Sequence, residues 1–465
     1  MKNQRVTSII IFFGIFLIIS GVVIGKAANS KLIEANGYFG MEKLTITQKN
    51  NSGQNGLLVL EDMERLTNVL DNPNLTYSSS LKTTIEENKH SSSVEIIGTN
   101  SLYPKFNNDN FCSGSFFTEN AQIENHRVAV IDEKLALELF NTSQVLGKEI
   151  RLFGNNFVII GVIAANESLM HTLIDDGIPS IYIPCSTYME LNAAAVITHV
   201  ELKTADNSTF GDNAKLFKEG LQAIGKNPEN YIITDFNIEE ALIKERPDLL
   251  VFLAGVISIL ILLFYLKGEI VALIREIILD TKTNYLLDAI RSNGLKIIML
   301  LVKAGVISFL AIVLWRLAKF NLYIPPQYIP DDLTDIGYFV DQIKNSIFES
   351  NSNLGYIASK SEQILIASQK IVNISFVVSL LPGFAVFYIG IYQAKVLKMD
   401  LIKLFLIGGI SFLIATTILI GLLLYLGMAF YINIALLAIL WVFICLNCIR
   451  ITRSDDWDKP GLYKY

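Results

Sequence analysis

The run VTSIIIFFGIFLIISGVVI, Val6–Ile24, holds 19 residues without a charge, enough for a helix to cross the hydrocarbon core of a bilayer. Lys2 and Arg5 stand before it, and Gly25 and Ala27-Ala28 follow. A basic start and small flanking residues also mark cleaved signal peptides, but this apolar run exceeds a signal core and reads as an uncleaved anchor. What comes next decides the fold. Instead of a second span the chain turns polar, rich in Ser, Asn and Asp over residues 30–247, and apolar segments resume only at Leu249. Further runs of membrane length follow at Leu249–Leu266, Ile297–Leu314, Val372–Ile391, Leu404–Leu424 and Ile432–Ile449. The pattern predicts an α-helical membrane bundle of six transmembrane helices with a large α+β extracytoplasmic domain between the first and second helices.

Composition agrees. Of the 465 residues 52% are hydrophobic and 18% charged, less charge than a soluble chain of this length carries, and the mean hydropathy is +0.44. A net charge of -6 with no basic face excludes nucleic acid as a partner and leaves membrane lipids as the expected surroundings. Cys112 and Cys185 lie in the polar insert, where a disulfide is allowed but not required. Cys445 and Cys448 lie in the last apolar run without a second pair, so no metal site is expected there.

Charge orients the spans. Lys2 and Arg5, then Lys267, Arg275, Lys282, Arg291 and Lys296, then Lys395, Lys398 and Lys403, and finally Arg450, Arg453, Lys459 and Lys464 fall on one side if the spans alternate. By the positive-inside rule both termini are cytoplasmic. The expected organisation is an anchor over 1–29 and an extracytoplasmic domain over 30–247. The second and third spans cover 248–317 around a cytoplasmic segment 267–296, and a second outer loop covers 318–371. The remaining spans cover 372–450, with a tail over 451–465.

Within the insert, Ser92–Ile97 and Arg127–Ile131 are β-prone. Glu149–Leu152 and Phe157–Val162 flank Phe153-Gly154-Asn155-Asn156, a hairpin signal. Glu133–Phe140 and Glu61–Leu70 carry apolar residues at helical spacing. The second outer loop opens with Ile324-Pro325-Pro326-Gln327-Tyr328-Ile329-Pro330, where proline density forbids a helix. Helical patterns follow at Tyr338–Phe348 and Tyr356–Ile371. This loop reads as a rigid connector over the membrane surface, as a cover on the large domain or as a partner contact.

No catalytic constellation is visible. Gly21-Val22-Val23-Ile24-Gly25-Lys26 is too short for a Walker A loop, lacks its Ser or Thr and ends a span. His90, His126, His171 and His199 are widely separated, and neither HExxH nor GxSxG occurs. The chain is expected to bind no cofactor and to be no enzyme. Lys303 lies about two turns inside the third span, where its side chain is expected to snorkel to the interface. Pro382-Gly383 is a candidate hinge in the fourth span, and Gly408-Gly409 permits close approach in the fifth.

Residues Ser93–Met189 resemble the extracytoplasmic core domain of MacB/FtsX-type ABC transporter permeases. The likeness rests on Val94-Glu95-Ile96-Ile97-Gly98, Tyr103, Ser113-Gly114-Ser115-Phe116-Phe117 and Val128-Ala129-Val130-Ile131-Asp132. It continues through Lys134-Leu135-Ala136, Leu139-Phe140, Leu146-Gly147-Lys148-Glu149-Ile150, Phe157-Val158-Ile159-Ile160-Gly161-Val162 and Ile181-Tyr182-Ile183-Pro184. Gly147 and Gly161 are read as turns or strand ends where a side chain would obstruct.

The resemblance implies a permease-like subunit that couples ATP hydrolysis by a separate cytoplasmic ABC ATPase to movement of the outer domain, for export or mechanotransmission. It implies a bacterial cell membrane, a homodimer or paired permease, and an extracytoplasmic protein or peptide as a further partner, with ATP bound by the ATPase. The family's coupling position falls on Glu269–Gly294, whose Ile274, Ile277, Ile278, Leu286, Leu287 and Ile290 are candidate ATPase-docking residues; Tyr392–Lys403 is a shorter second candidate. The chain departs from the family in having six spans where four are usual, an added outer loop, Lys303 where a carboxylate is common, and a tail without the usual Pro-Ala ending. The divergent membrane half also fits a second reading, a non-transporting membrane sensor or scaffold that retains the outer fold.

Overall fold

A computed structural model describes residues 2–49, 56–87, 90–165, 169–204, 212–282, 285–324, 357–428 and 433–457, with 329, 337, 338, 340, 341 and 344 between them. The proline-rich opening of the second outer loop, the pattern at 338–348 and the end of the tail lie largely outside these residues. Two compact units emerge. One comprises Met1–Ala28, Ile243–Leu322 and Lys370–Tyr465; the other comprises Asn29–Leu242 and Tyr323–Gln369.

In chain order the first elements are α1 (Lys2–Ala35), β1 (Lys43–Gln48), α2 (Leu60–Leu70), β2 (Leu75–Glu87), β3 (His90–Thr99), α3 (Tyr103–Phe106) and β4 (Phe111–Gly114). Next come α4 (Glu119–Ile123), β5 (Val128–Asp132), α5 (Glu133–Phe140), β6 (Glu149–Leu152), β7 (Asn155–Ile163), α6 (Leu169–Ile174), β8 (Ser180–Pro184) and α7 (Cys185–Leu191). The polar unit closes with β9 (His199–Lys203), α8 (Asp212–Ala223) and β10 (Tyr231–Asp235). The long helices are α9 (Phe236–Asp280), α10 (Leu286–Ser292), α11 (Gly294–Ala318), α12 (Lys360–Val378), α13 (Phe384–Val396), α14 (Leu401–Tyr425) and α15 (Ile434–Trp457), with α10 a short exception.

Among the described residues six helices are long and apolar enough to cross a membrane: Asn3–Ala35, Phe236–Asp280, Gly294–Ala318, Lys360–Val396, Leu401–Tyr425 and Ile434–Ile451. Each contains or closely overlaps one of the apolar runs read from the sequence. The helices outrun the apolar stretches because backbone hydrogen bonding is local and continues through polar residues until something breaks it. Nothing breaks α9 between Leu266 and Asp280, since a single Gly268 costs a helix only about 1 kcal/mol. The segment expected as one unit over Glu269–Gly294 is therefore the end of α9, a turn, and α10. Likewise the helix expected from Tyr356 begins at Lys360.

In the polar unit the ten strands form one mixed sheet in the order β10-β1-β9-β2-β3-β8-β5-β7-β4, with β6 beside β7. The β3–β8 and β5–β7 pairs are parallel. The hairpin turn is tighter than the sequence suggested. Leu152 pairs with Asn155, so the turn is Phe153-Gly154 alone, both with positive φ, 49° and 78°. Gly147 has no atom near its missing side chain, and its φ of 78° is the reason for glycine there. Gly161 lies inside β7, not at its end, and a Cβ there would stand 2.5 Å from the Ser115 carbonyl oxygen.

Alternation divides the sheet's faces. Leu44, Ile46, Val200 and Leu202 pack with Met63 and Leu66 of α2 and with Phe217 and Leu221 of α8. Ile96, Ile131, Ile159 and Ile181 pack with Leu135, Ala136 and Leu139 of α5 and Tyr188 of α7. In α2, Met63 and Leu66 are buried and Leu70 packs against the same core, while Val69 is half exposed at the margin of the stripe.

In the helical unit α1 packs closely on α13 and on the turn Ser379–Gly383 before it. A Cβ at Gly14 would stand 2.5 Å from the Phe387 backbone, one at Gly21 would strike Ser379, and one at Gly390 would lie 2.8 Å from Ile11. Ser379 Oγ donates to the Ile18 carbonyl at 3.0 Å. Small residues at these positions bring the backbones together, and dispersion and short polar contacts then hold helices in a solvent with no hydrophobic effect between them. The second and first spans meet through Gly25 against Pro247, with Lys26 and Asp248 paired at 2.6 Å. Gly408 and Gly409 of α14 lie against Ile444 and Trp441 of α15, the close approach expected of that pair.

Candidate functional site

Three charged or amide residues of α9 face three of α11 and the turn before it. Glu269 Oε2 lies 2.8 Å from Lys303 Nζ, Glu276 Oε2 lies 2.6 Å from Lys296 Nζ, and Asp280 Oδ2 accepts from Asn293 Nδ2 at 2.6 Å. Positions rising along α9 match positions falling along α11, so the two helices run antiparallel. Ala272, Leu273, Met299 and Leu300 line the groove between these contacts. Glu269, 34 residues earlier and just past the apolar run of the second span, supplies the counter-charge of Lys303. Where the resemblance led one to expect a carboxylate on the third span, the carboxylate stands on the second.

The docking candidates sit around this hairpin. Ile274 and Ile278, one turn apart on α9, are 49% and 55% exposed, and Leu287 of α10 is 79% exposed. Ile290 is also exposed, Ile277 is half-buried, and the Leu286 side chain lies outside the described residues. Ala289 is fully buried and Asn293 Nδ2 donates to its carbonyl at 3.0 Å, which anchors α10. An exposed apolar face on a helix anchored from its other side suits either the membrane interface or a partner's groove. The candidate hinge falls in a π-helical turn, Ser379–Gly383, that contains Pro382 and joins α12 to α13. Proline removes one ladder hydrogen bond there, and the wider turn absorbs the mismatch.

A second polar site lies in the sheet unit and was not singled out from the sequence. Lys43, Thr45 and Thr47 of β1 point to one face with His199 and Glu201 of β9, and all are buried. Such a face would be solvated if uncovered; here the start of α12 covers it. Lys43 Nζ lies 3.0 Å from Glu201 Oε2, donates to the Phe106 carbonyl at 3.0 Å and to Ser361 Oγ at 2.8 Å, and stands 5.0 Å from the Phe236 ring centre. Glu362 accepts from Thr45 at 2.9 Å and Thr47 at 2.7 Å. Burial pushes the Lys43 pKa down, while the Glu201 carboxylate favours its charged form. His199 is pushed down to about 4 by burial and is neutral at pH 7. Thr47 spends its one proton on Glu362, so His199 Nδ1, 3.2 Å away, is the donor between them.

Local signals for this second site exist. Ser359-x-x-Glu362 is a capping box: the Glu362 amide donates to Ser359 Oγ at 3.2 Å and Glu362 accepts from the Ser359 amide at 2.9 Å. The KLTITQ alternation of β1 marks a polar face, but not that anything would bury it. Cys112 and Cys185 are free thiols, the first exposed and the second buried, and so are Cys445 and Cys448.

Comparison with known proteins identifies the sheet unit. Residues 6–215 match the family model of the MacB-like periplasmic core domain. The uncharacterized ABC transporter permease YknZ of Bacillus subtilis (strain 168) is 26% identical over 150 residues, 32% of this chain and 36% of that protein. The chain thus spans about a third of the length of that relative. Among solved structures, the periplasmic region of MacB from Actinobacillus actinomycetemcomitans is 20% identical, covering 44% of this chain and 92% of that one at a TM-score of 0.36. The extracellular domain of the noncanonic ABC-type transporter YknZ from Gram-positive bacteria is 19% identical, covering 41% and 99% at a TM-score of 0.34. Residues 6–215 are thus similar to the MacB-like periplasmic core domain, and the described residues also hold six helices of membrane length.

Proposed function

We propose that this chain, with its MacB-like core domain and membrane bundle, is the permease-like membrane subunit of an ABC transporter complex. A separate cytoplasmic ATPase hydrolyses ATP, and the motion reaches the extracytoplasmic domain for export or mechanotransmission. Both termini and the α9–α11 turn lie on the cytoplasmic side, as the distribution of Lys and Arg requires. The observation that carries the reading is the continuity of α9. One continuous helix of 45 residues follows β10 in the chain and carries the exposed Ile274 and Ile278 in its last two turns. The unbroken backbone of this helix is the covalent route by which motion at its lower end passes upward, with Pro247 inside it as the point where it can bend. The polar contacts from Glu269 to Lys303 and Glu276 to Lys296 make α11 move with it. The π-turn at Pro382-Gly383 is the hinge that lets the fourth span follow. Two copies with two ATPases complete the assembly, and the apolar outer face of α11, with Val302, Val306 and Phe309 exposed, faces the second copy or lipid. An extracytoplasmic protein or peptide receives the motion.

Purification of the tagged full chain from its host in mild detergent tests this. A stoichiometric ATPase that is lost in Ile274→Asp/Ile278→Asp supports the reading, and both positions are exposed enough for the change to leave the fold intact. A chain that brings down no ATPase under conditions preserving a control ABC complex is a sensor or scaffold instead.

A further inference from the structure

The three residues Lys360, Ser361 and Glu362 each place a side chain into the sheet unit. Lys360 Nζ lies 3.6 Å from the buried Asp109. Ser361 Oγ accepts from Lys43 at 2.8 Å and lies 3.0 Å from Glu201 Oε1, the acceptor for its own proton. Glu362 takes both Thr45 and Thr47 hydroxyls and the Ser359 amide. About two turns further on, Gln369 Nε2 donates to Glu239 Oε2 of α9 at 2.5 Å. The roots of α9 and α12 are thus held to each other and to β1, with Lys43 touching both through the Phe236 ring and Ser361.

We propose that Ser359–Glu362 is a polar latch that fastens α12 to the extracytoplasmic domain, so that the fourth span is a third attachment of that domain beside the first and second. An attachment meant only for stability would use apolar contact, which fills space without regard to partner. This one buries a lysine and two glutamates whose partners are divided between the strands and α12. Ser361 and Glu362 make these contacts only while the latch is shut, and the face of β1 and β9 that they cover becomes solvated when it opens. Buried charge of this kind makes a contact all-or-none, because a partly opened state leaves ions without partners in low dielectric. The latch rests on the sheet unit alone and holds whether or not an ATPase drives the chain.

Thiol labelling of the purified full chain tests the latch. Cys112, Cys445 and Cys448 are changed to Ala, and the buried Cys185 is kept as a reporter that the domain is folded. The thiol introduced by Ser361→Cys is expected to react with a polar maleimide at least tenfold more slowly than one introduced by Tyr38→Cys at an exposed position. Removing both hydroxyl donors of Glu362 with Thr45→Val/Thr47→Val is expected to speed the position-361 reaction at least tenfold while Cys185 stays protected. Fast labelling at 361 in the otherwise unaltered chain, or no acceleration by the two valines, overturns the proposal. If the valines also expose Cys185, Lys360→Gln serves in their place: a threefold or greater acceleration at 361 alone upholds the latch, and none refutes it.

Discussion

Lys43 on β1 and Glu201 on β9 form an ion pair of 3.0 Å in which the lysine side chain is wholly buried and the glutamate 6% exposed. The two strands are neighbours, yet these residues are 158 positions apart, and β1 carries the lysine on a face that a solvated sheet edge would leave to water. Such a pair adds little net stability, because desolvation offsets most of its attraction, but breaking it is costly.

Removal of one partner is therefore the informative change. Lys43→Met alone is expected to destabilise the sheet unit by about 3–5 kcal/mol, the usual cost of leaving a buried charge unpaired. Lys43→Met/Glu201→Gln should recover more than half of that. The rate at which Cys185 becomes reactive in urea measures both, and equal losses in the single and double variants would show that the ion pair is not what the site depends on.

His199 makes the unit sensitive to acid. Its folded pKa is about 4 because burial disfavours the charged ring, while in the unfolded chain it takes up a proton near 6.5. Between these values the unfolded state binds the extra proton, so stability falls as the pH is lowered through 6.5 and levels off below 4. From pH 7 to 5 the loss attributable to His199 is about 2 kcal/mol at 1.36 kcal/mol per unit. His199→Gln keeps an amide near Thr47 and should reduce the pH 7-to-5 difference in urea midpoint by that amount; an unchanged difference would refute the assignment.

Gly14 and Gly421 make a matched comparison. Gly14→Ala places a methyl 2.5 Å from the Phe387 backbone, while Gly421→Ala has nothing within 4 Å to meet. The first is expected to cost about 1–3 kcal/mol as overpacking between two helices, and the second to be neutral or slightly stabilising. Thermal aggregation of the two variants in one detergent distinguishes them, and similar midpoints would mean that α1 and α13 do not pack this closely.

Charge exchange tests the α9–α11 hairpin. Glu269→Lys and Lys303→Glu each replace the 2.8 Å ion pair with facing like charges, and each should lower thermal stability by about 2–3 kcal/mol where the third span carries position 303. The double exchange restores opposite charges and should recover most of the loss. No recovery would mean that Lys303 is served by the interface alone.

The sequence by itself determined the six spans, the polar insert and several local elements within it. A backbone in hydrocarbon must satisfy its own hydrogen bonds, so length and hydropathy are enough to mark Val6–Ile24 and the later spans. Glu133–Phe140 and the 149–163 hairpin were equally legible, because helical spacing and a turn glycine act within a few residues. Tertiary structure alone decided which faces meet. Side-chain period shows that Lys43, Thr45 and Thr47 share a face, but whether water or α12 covers it depends on residues more than 300 positions away. Lys303 gave no hint of Glu269, and the spacing of Gly14 and Gly21 gave no hint of Phe387 and Ser379. Local pattern fixes the elements through short-range sterics and hydrogen bonding, whereas their partners are fixed by contacts between distant parts of the chain, which no local period encodes.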